Sequence, residues 1–167
     1  MTNEEWLNSG SAPDMLKTLY AEQPQYFRMS ALQLHRFLIA CCWKHSHLIP
    51  QEGIRDGLRG AERWIAGEIS DDELNRLNWD AEGDAFHLDY AKDPDDLAGI
   101  EAMVADIPQL DGMPFAEAHA LLTRAAYFAE LSMIYSTMSR PWIESLFASE
   151  FVCPDLLREH LAPEFAD

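Results

Sequence analysis

The apolar positions of this chain recur at spacings of three and four, the period of helices buried along one side. Thr2 and Glu5 stand three apart ahead of Trp6 and Leu7, the spacing of a capping box, which predicts a helix there. Ser11 with Asp14 predicts a second helix, carrying Met15, Leu16 and Leu19. Ser30 with Gln33 predicts a third, running to about His45. On a helical wheel that third helix keeps only a narrow polar arc of Gln33, Arg36, Lys44 and His47. Leu34, Phe37, Leu38, Ile39, Cys41, Cys42 and Trp43 fill the remainder. A helix apolar nearly all round is buried, so this one is expected at the centre.

Pro50 suits a helix start, and Ile54, Leu58, Ala61 and Ile65 make the next stripe, with Gly67 as its stop. Ser70 and Glu73 open a short helix through Leu74 and Leu77. From Asp80 to Asp93 the helical period fails. Phe86, Leu88 and Tyr90 alternate with Ala85, His87 and Asp89, a strand pattern with no strand to pair with, so the segment is expected to be an ordered loop. Asp93 and Pro94 then look like a cap and first turn for a stripe of Leu97, Ile100, Val104 and Ile107. Pro114 opens what should be the longest helix, to about Ser139. One seam of it holds Leu121, Phe128, Leu131, Tyr135 and Met138; a second, of smaller residues, holds Ala118, Leu122, Ala125, Ala129, Ser132 and Ser136. Short helices follow Pro141, with Trp142, Leu146 and Phe147, and Pro154, with Leu156, Leu157 and Leu161. The expected fold is all-α: a single-domain, irregular bundle of about six to eight helices over residues 1–167, with an acidic loop near 80–93. Two domains divided at that loop are disfavoured, because each would be marginal in size.

Charge changes the picture regionally. The chain of 167 residues has net charge −17, but residues 1–67 are balanced, whereas 68–111 carry fourteen acids and two bases. With hydrophobic residues at 48%, the chain has ample core material, which excludes disorder throughout. The acidity disfavours direct nucleic-acid binding, which needs Lys and Arg in excess. No apolar run approaches the roughly 20 residues of a membrane span, and the first residues lack the basic start and apolar core of a secretion signal. Cys41, Cys42 and Cys153 cannot all pair with one another, so a reducing cytoplasm is the expected setting.

Candidate chemistry is sparse. No phosphate loop, no nucleophile elbow and no H-E-x-x-H pair is present. Asp80, Glu82 and Asp84 begin like a calcium loop, but the glycine falls at Gly83 rather than the sixth place, and Ala91 stands at the twelfth. Cys41 and His45 share a helix face, with His35 and Cys42 nearby on the wheel; thiolate and imidazole suit zinc or a nucleophile–base pair. Cysteine on an apolar arc is ordinarily core packing, so no metal, no cofactor and no catalytic residue is expected. Arg55, Arg59 and Arg63 repeat every four residues, offset by Glu52 and Glu62. That stripe can dock on the acidic segment, or the acids Asp93, Asp95 and Asp96 can face a partner.

Three blocks of the chain resemble a family of small helical proteins and domains expanded in planctomycete-type bacterial genomes. They are Glu5-Trp6-Leu7 with Met15-Leu16 and Leu19; a centre of Ala40-Cys41-Cys42, His47-Leu48-Ile49, Arg55, Ala61-Glu62-Arg63-Trp64, Gly67 and Asp71 to Leu74; and Asp155-Leu156-Leu157-Arg158-Glu159. Trp43-Lys44 and Ser46 depart from the family's basic pair and aromatic residue. The resemblance implies one domain and brings no activity with it. The functional expectation is therefore a non-enzymatic, acidic protein–protein interaction module. The alternatives are an inhibitor or immunity-type protein whose acidic face covers a basic nuclease or DNA-binding protein, and a small metal protein or enzyme built on cysteine and histidine. The expected partner is another protein, basic in the sharper version, with the oligomeric state open.

Overall fold

The computed structural model describes residues 1–137 and 140–165, and the side chains of 1–136 and 144–165. Among the described residues there are ten α-helices and no strand. They are α1 (Asn3–Asn8), α2 (Ala12–Glu22), α3 (Pro24–Met29), α4 (Ala31–Lys44), α5 (Glu52–Ile65), α6 (Asp71–Tyr90), α7 (Pro94–Ala105), α8 (Phe115–Met133), α9 (Arg140–Phe147) and α10 (Pro154–His160). Single 3-10 turns lie at Ser46–Leu48, Pro108–Leu110 and Tyr135–Thr137.

Several helix starts are local chemistry. Thr2 and Glu5 form the full reciprocal capping box, and the Ser11 and Ser70 hydroxyls accept from the backbone N–H groups of Asp14 and Glu73. Asp93 caps α7, with Pro94 at the first helical position. Ser30 makes no such bond, because α3 runs into α4 and leaves Ser30 in a tight link. Gly67 stops α5 in the left-handed region, φ +77, while the Glu68 N–H closes back on the Arg63 carbonyl.

Three expectations fail. Asp80–Asp93 is no loop: α6 continues through it to Tyr90 and is the longest helix, at 20 residues. Its buried stripe is Leu74, Asn78, Ala81, Ala85 and Leu88, small and partly polar, so the apolar period is faint in sequence. The helix count exceeds six to eight, because each start marked in the sequence becomes a helix of its own and Pro24 starts a further one, α3, between α2 and α4. Helix α8 ends at Met133, with Ile134 leading into the 3-10 turn rather than continuing to Ser139. Met138 and Ser139 lie outside the described residues, as does the Trp142 side chain.

Helix α4 is the hub, packing on α5, α8 and α10, and α8 in turn meets α5, α6, α7 and α9. The tightest approach is α5 against α6 and α8. A Cβ added at Gly57 would run into the end of Met133, and one at Gly60 into Leu77, so these glycines let the helices close. The two ends of the chain meet. Arg158 donates to the carbonyls of Ser9 (2.8 Å) and Trp6 (3.3 Å), and Asn3 pairs with the Phe165 backbone.

Candidate interaction surface

The arginine stripe of α5 is occupied within the domain. Arg55 donates to the carbonyls of Ile49 (2.7 Å) and Ser46 (3.0 Å), tying down the turn after α4. Arg59 bridges Glu52 and Asp56 on its own helix, at 2.8 and 2.6 Å. Arg63 reaches Glu68 (3.7 Å) and Glu73 (3.8 Å), so this arginine meets the start of the acidic segment. Glu62 accepts instead from the Trp43 indole N–H, and Glu52 serves Arg59 rather than Arg55. Asp93, Asp95 and Asp96 are exposed in the first turn of α7, where Asp93 caps and the other two face solvent. None of the three pairs with the arginine stripe.

The face that emerges is on α6. Trp79, Phe86 and Tyr90 lie opposite its buried stripe, within about 40° of one another around the helix axis. Trp79 is 74% exposed, Tyr90 67% and Phe86 44%. Gly83 sits between Trp79 and Phe86, and nothing approaches the place its Cβ would take. Phe86 meets Tyr90 edge-on at 5.9 Å and Tyr127 of α8 at 6.1 Å, while the Tyr127 hydroxyl donates to Asp89 at 2.8 Å. Asp72 and Glu82 share helix α6 with these rings, and Asp95 and Asp96 follow at the start of α7; among the described residues no ion pair engages any of the four, whereas Asp84 turns toward Gly53 of α5. Reading 80–93 as a loop hid this stripe; as a helix, the 4-3-4 spacing of Trp79, Gly83, Phe86 and Tyr90 displays it.

On α4, Cys41 and His45 do face one way, and Cys153 from just before α10 joins them, its sulfur 3.6 Å from His45 Nε2. All three cysteines are buried and unpaired. Burial, followed by the neighbouring Cys153 thiol, pushes the Cys41 thiol far up; burial pushes Cys42 up to about 12. Burial also lowers His45, with His47 and Lys44 adding repulsion. These shifts disfavour the thiolate that a nucleophile or a metal needs. Among the described residues no three His, Cys, Asp or Glu groups are arranged to hold a metal ion.

His35 stands apart from the cysteines. Its Nε2 contacts the Met133 carbonyl and its Nδ1 the Ser136 hydroxyl, each at 3.0 Å. A carbonyl only accepts, so Nε2 carries the proton and Nδ1 accepts from Ser136. Burial lowers the pKa of this imidazole to about 4. The one buried carboxylate of α8, Glu130, accepts from the Asn78 amide at 2.8 Å, and burial raises its pKa. Several residues of the three resemblance blocks likewise hold the fold: Arg55, Glu62 and Arg158 as above, and Trp64 by donating to Asp71 at 2.7 Å.

Comparison with protein-family models, with curated proteins and with solved structures finds no match. No helix among the described residues is long and apolar enough to cross a membrane.

Proposed function

We propose that this protein is a non-enzymatic interaction module that receives a basic protein partner on the α6–α7 face. The observation that carries this reading is the exposed aromatic stripe of Trp79, Phe86 and Tyr90 set among unpaired acids. Large aromatics left in water are a standing free-energy loss that a partner recovers by covering them. Trp and Tyr are also the residues on which interfaces concentrate their affinity. Arginine and lysine of a basic partner gain twice, from the carboxylates and from the ring faces. The acids further out steer the encounter and make it dependent on salt. An inhibitor or immunity-type role is the narrower version of the same reading, with one high-affinity target such as a nuclease. With its three cysteines free and buried, the setting proposed is a reducing cytoplasm.

The test is cross-linking and affinity capture with the folded protein and with the double variant Trp79→Ala/Tyr90→Ala, followed by mass spectrometry. A basic protein retained by the parent, cross-linked to α6 and lost from the variant, is the expected result. Retention of the same proteins by both would overturn the assignment of the face. One stoichiometric toxin-like or DNA-binding target selects the inhibitor; several targets select the module.

A further inference from the structure

A second feature lies on other helices and goes beyond the partner reading. Between α2, α3 and the end of α9 opens a cleft of about 580 Å³. Its base is Leu16, Phe27 and Phe147, all buried, with Tyr20 along one wall. The aromatic rings brace one another: Phe27 meets Tyr20 edge-on at 4.9 Å and Phe147 at 5.5 Å. These contacts hold the aromatic base of the cleft in place. Its size falls in the small-molecule range of about 300–1,000 Å³, and its lining is apolar with a few polar groups at the mouth, the usual build of a ligand site.

The mouth has a chemical preference. In a chain of net charge −17, it holds two cations, Lys17 and Arg28, alongside Asp14 and Glu144. Glu144 is already engaged by another contact. Lys17 enters no ion pair among the described residues, and Arg28 spends one N–H on Gln25 at 2.7 Å and keeps the others. The rim is formally balanced, two cations against two acids, so a singly charged anionic head is held there by the unspent N–H donors of Lys17 and Arg28, and a second negative charge adds only repulsion from Asp14 and Glu144. Below that charge, the apolar base takes a hydrocarbon chain and offers it no hydrogen-bonding group deep inside.

We infer that this cleft binds a single-chain aliphatic carboxylate, its chain against Leu16, Phe27 and Phe147 and its head at the rim with Lys17 and Arg28. The cleft shares no residue with the α6–α7 face, so either reading can fail without the other.

The experiment is calorimetric titration of the full chain with octanoate, decanoate and dodecanoate below their micelle-forming concentrations. Affinity is expected to rise about fourfold per methylene, the ratio that burial of one CH₂ sets, until the cleft is full. Ala148 is exposed at the mouth, so Ala148→Trp should block the site and abolish binding while circular dichroism stays unchanged. Lys17→Glu/Arg28→Glu, both at exposed positions, should weaken dodecanoate at least tenfold and reverse nothing in the chain-length trend. If Ala148→Trp does not fold, the double charge reversal decides alone. No heat with dodecanoate, or binding unchanged in the variants, would overturn the inference. Binding to phosphatidylglycerol vesicles without binding of monomeric dodecanoate would assign the face to a lipid surface and overturn it equally.

Discussion

In α4, Leu34, His35, Phe37, Leu38, Ile39, Cys41 and Cys42 are all buried, because neighbouring helices cover the helix on several sides. In α6 the bulky aromatics point the other way. The covered stripe is built on Leu74, Asn78, Ala81, Ala85 and Leu88, while Trp79, Phe86 and Tyr90 stand in solvent. Both helices carry aromatic and aliphatic residues, yet one spends them on the core and the other displays them. The difference lies in the partners. The hub helix faces side chains, whereas α6 sets Ala81 and Leu77 against the glycines of α5, Gly57 and Gly60, and also packs on α8. The glycines bring the backbones close, so this seam takes alanine and leucine and leaves the aromatics of α6 outside it.

The contrast breaks most sharply under matched truncations. Phe37→Ala should destabilise by about 4 kcal/mol in urea unfolding, since it empties a fully buried site. Phe86→Ala on the displayed face should cost less than about 1 kcal/mol, and equal losses would erase the distinction drawn above.

The next effect is set by pH. His35 is held neutral in the fold with its pKa near 4, below the 6.5 of the unfolded chain. The unfolded state therefore takes up this proton first. Stability should be unaffected by His35 above pH 6.5 and fall as pH drops from there toward 4, by about 3 kcal/mol at the limit. Glu130, whose carboxyl is raised, acts in the opposite sense: its contribution is present at low pH and lost as pH rises through its folded value. Subtracting the pH profile of His35→Gln from that of the parent isolates the histidine, and a flat difference would contradict its burial.

Smaller again is the polar contact between α6 and α8. Asn78→Leu removes the amide that faces the Glu130 carboxylate and should cost about 2 kcal/mol at neutral pH. The loss should shrink as the pH falls and Glu130, its carboxyl raised by burial, takes up its proton; an equal loss at neutral and acidic pH would point to packing instead.

The smallest stability change belongs to the exposed acids. Asp93→Asn/Asp95→Asn/Asp96→Asn keeps a capping side chain at 93 and should move stability by no more than about 0.5 kcal/mol. Partner association should slow, and its salt dependence should flatten, because these charges act over a Debye length of about 10 Å at 0.1 M salt. A large drop in Tm with unchanged association would mean that these acids support the domain rather than the encounter.

The amino-acid sequence by itself determined the features that close within a few residues. Thr2 with Glu5, Ser11 with Asp14, Ser70 with Glu73, Asp93 with Pro94 and the stop at Gly67 are caps whose donors and acceptors lie on the same turn, so they can be read without knowing the fold. The burial of α4 was legible for a related reason: a helix with almost no polar arc has no face to give to water. Tertiary structure decided what depends on distant neighbours. Phe86, Leu88 and Tyr90 alternate in sequence, and only the closeness of α5 and α8 settles that Leu88 is inside and the rings outside. Arg55 found backbone carbonyls rather than the acidic segment, and Cys153 came to His45 across 108 residues. The cleft beside Phe27 likewise exists only because α9 returns to α2 and α3. These arrangements depend on which surfaces meet, and side-chain spacing along one helix carries no record of the helix packed against it.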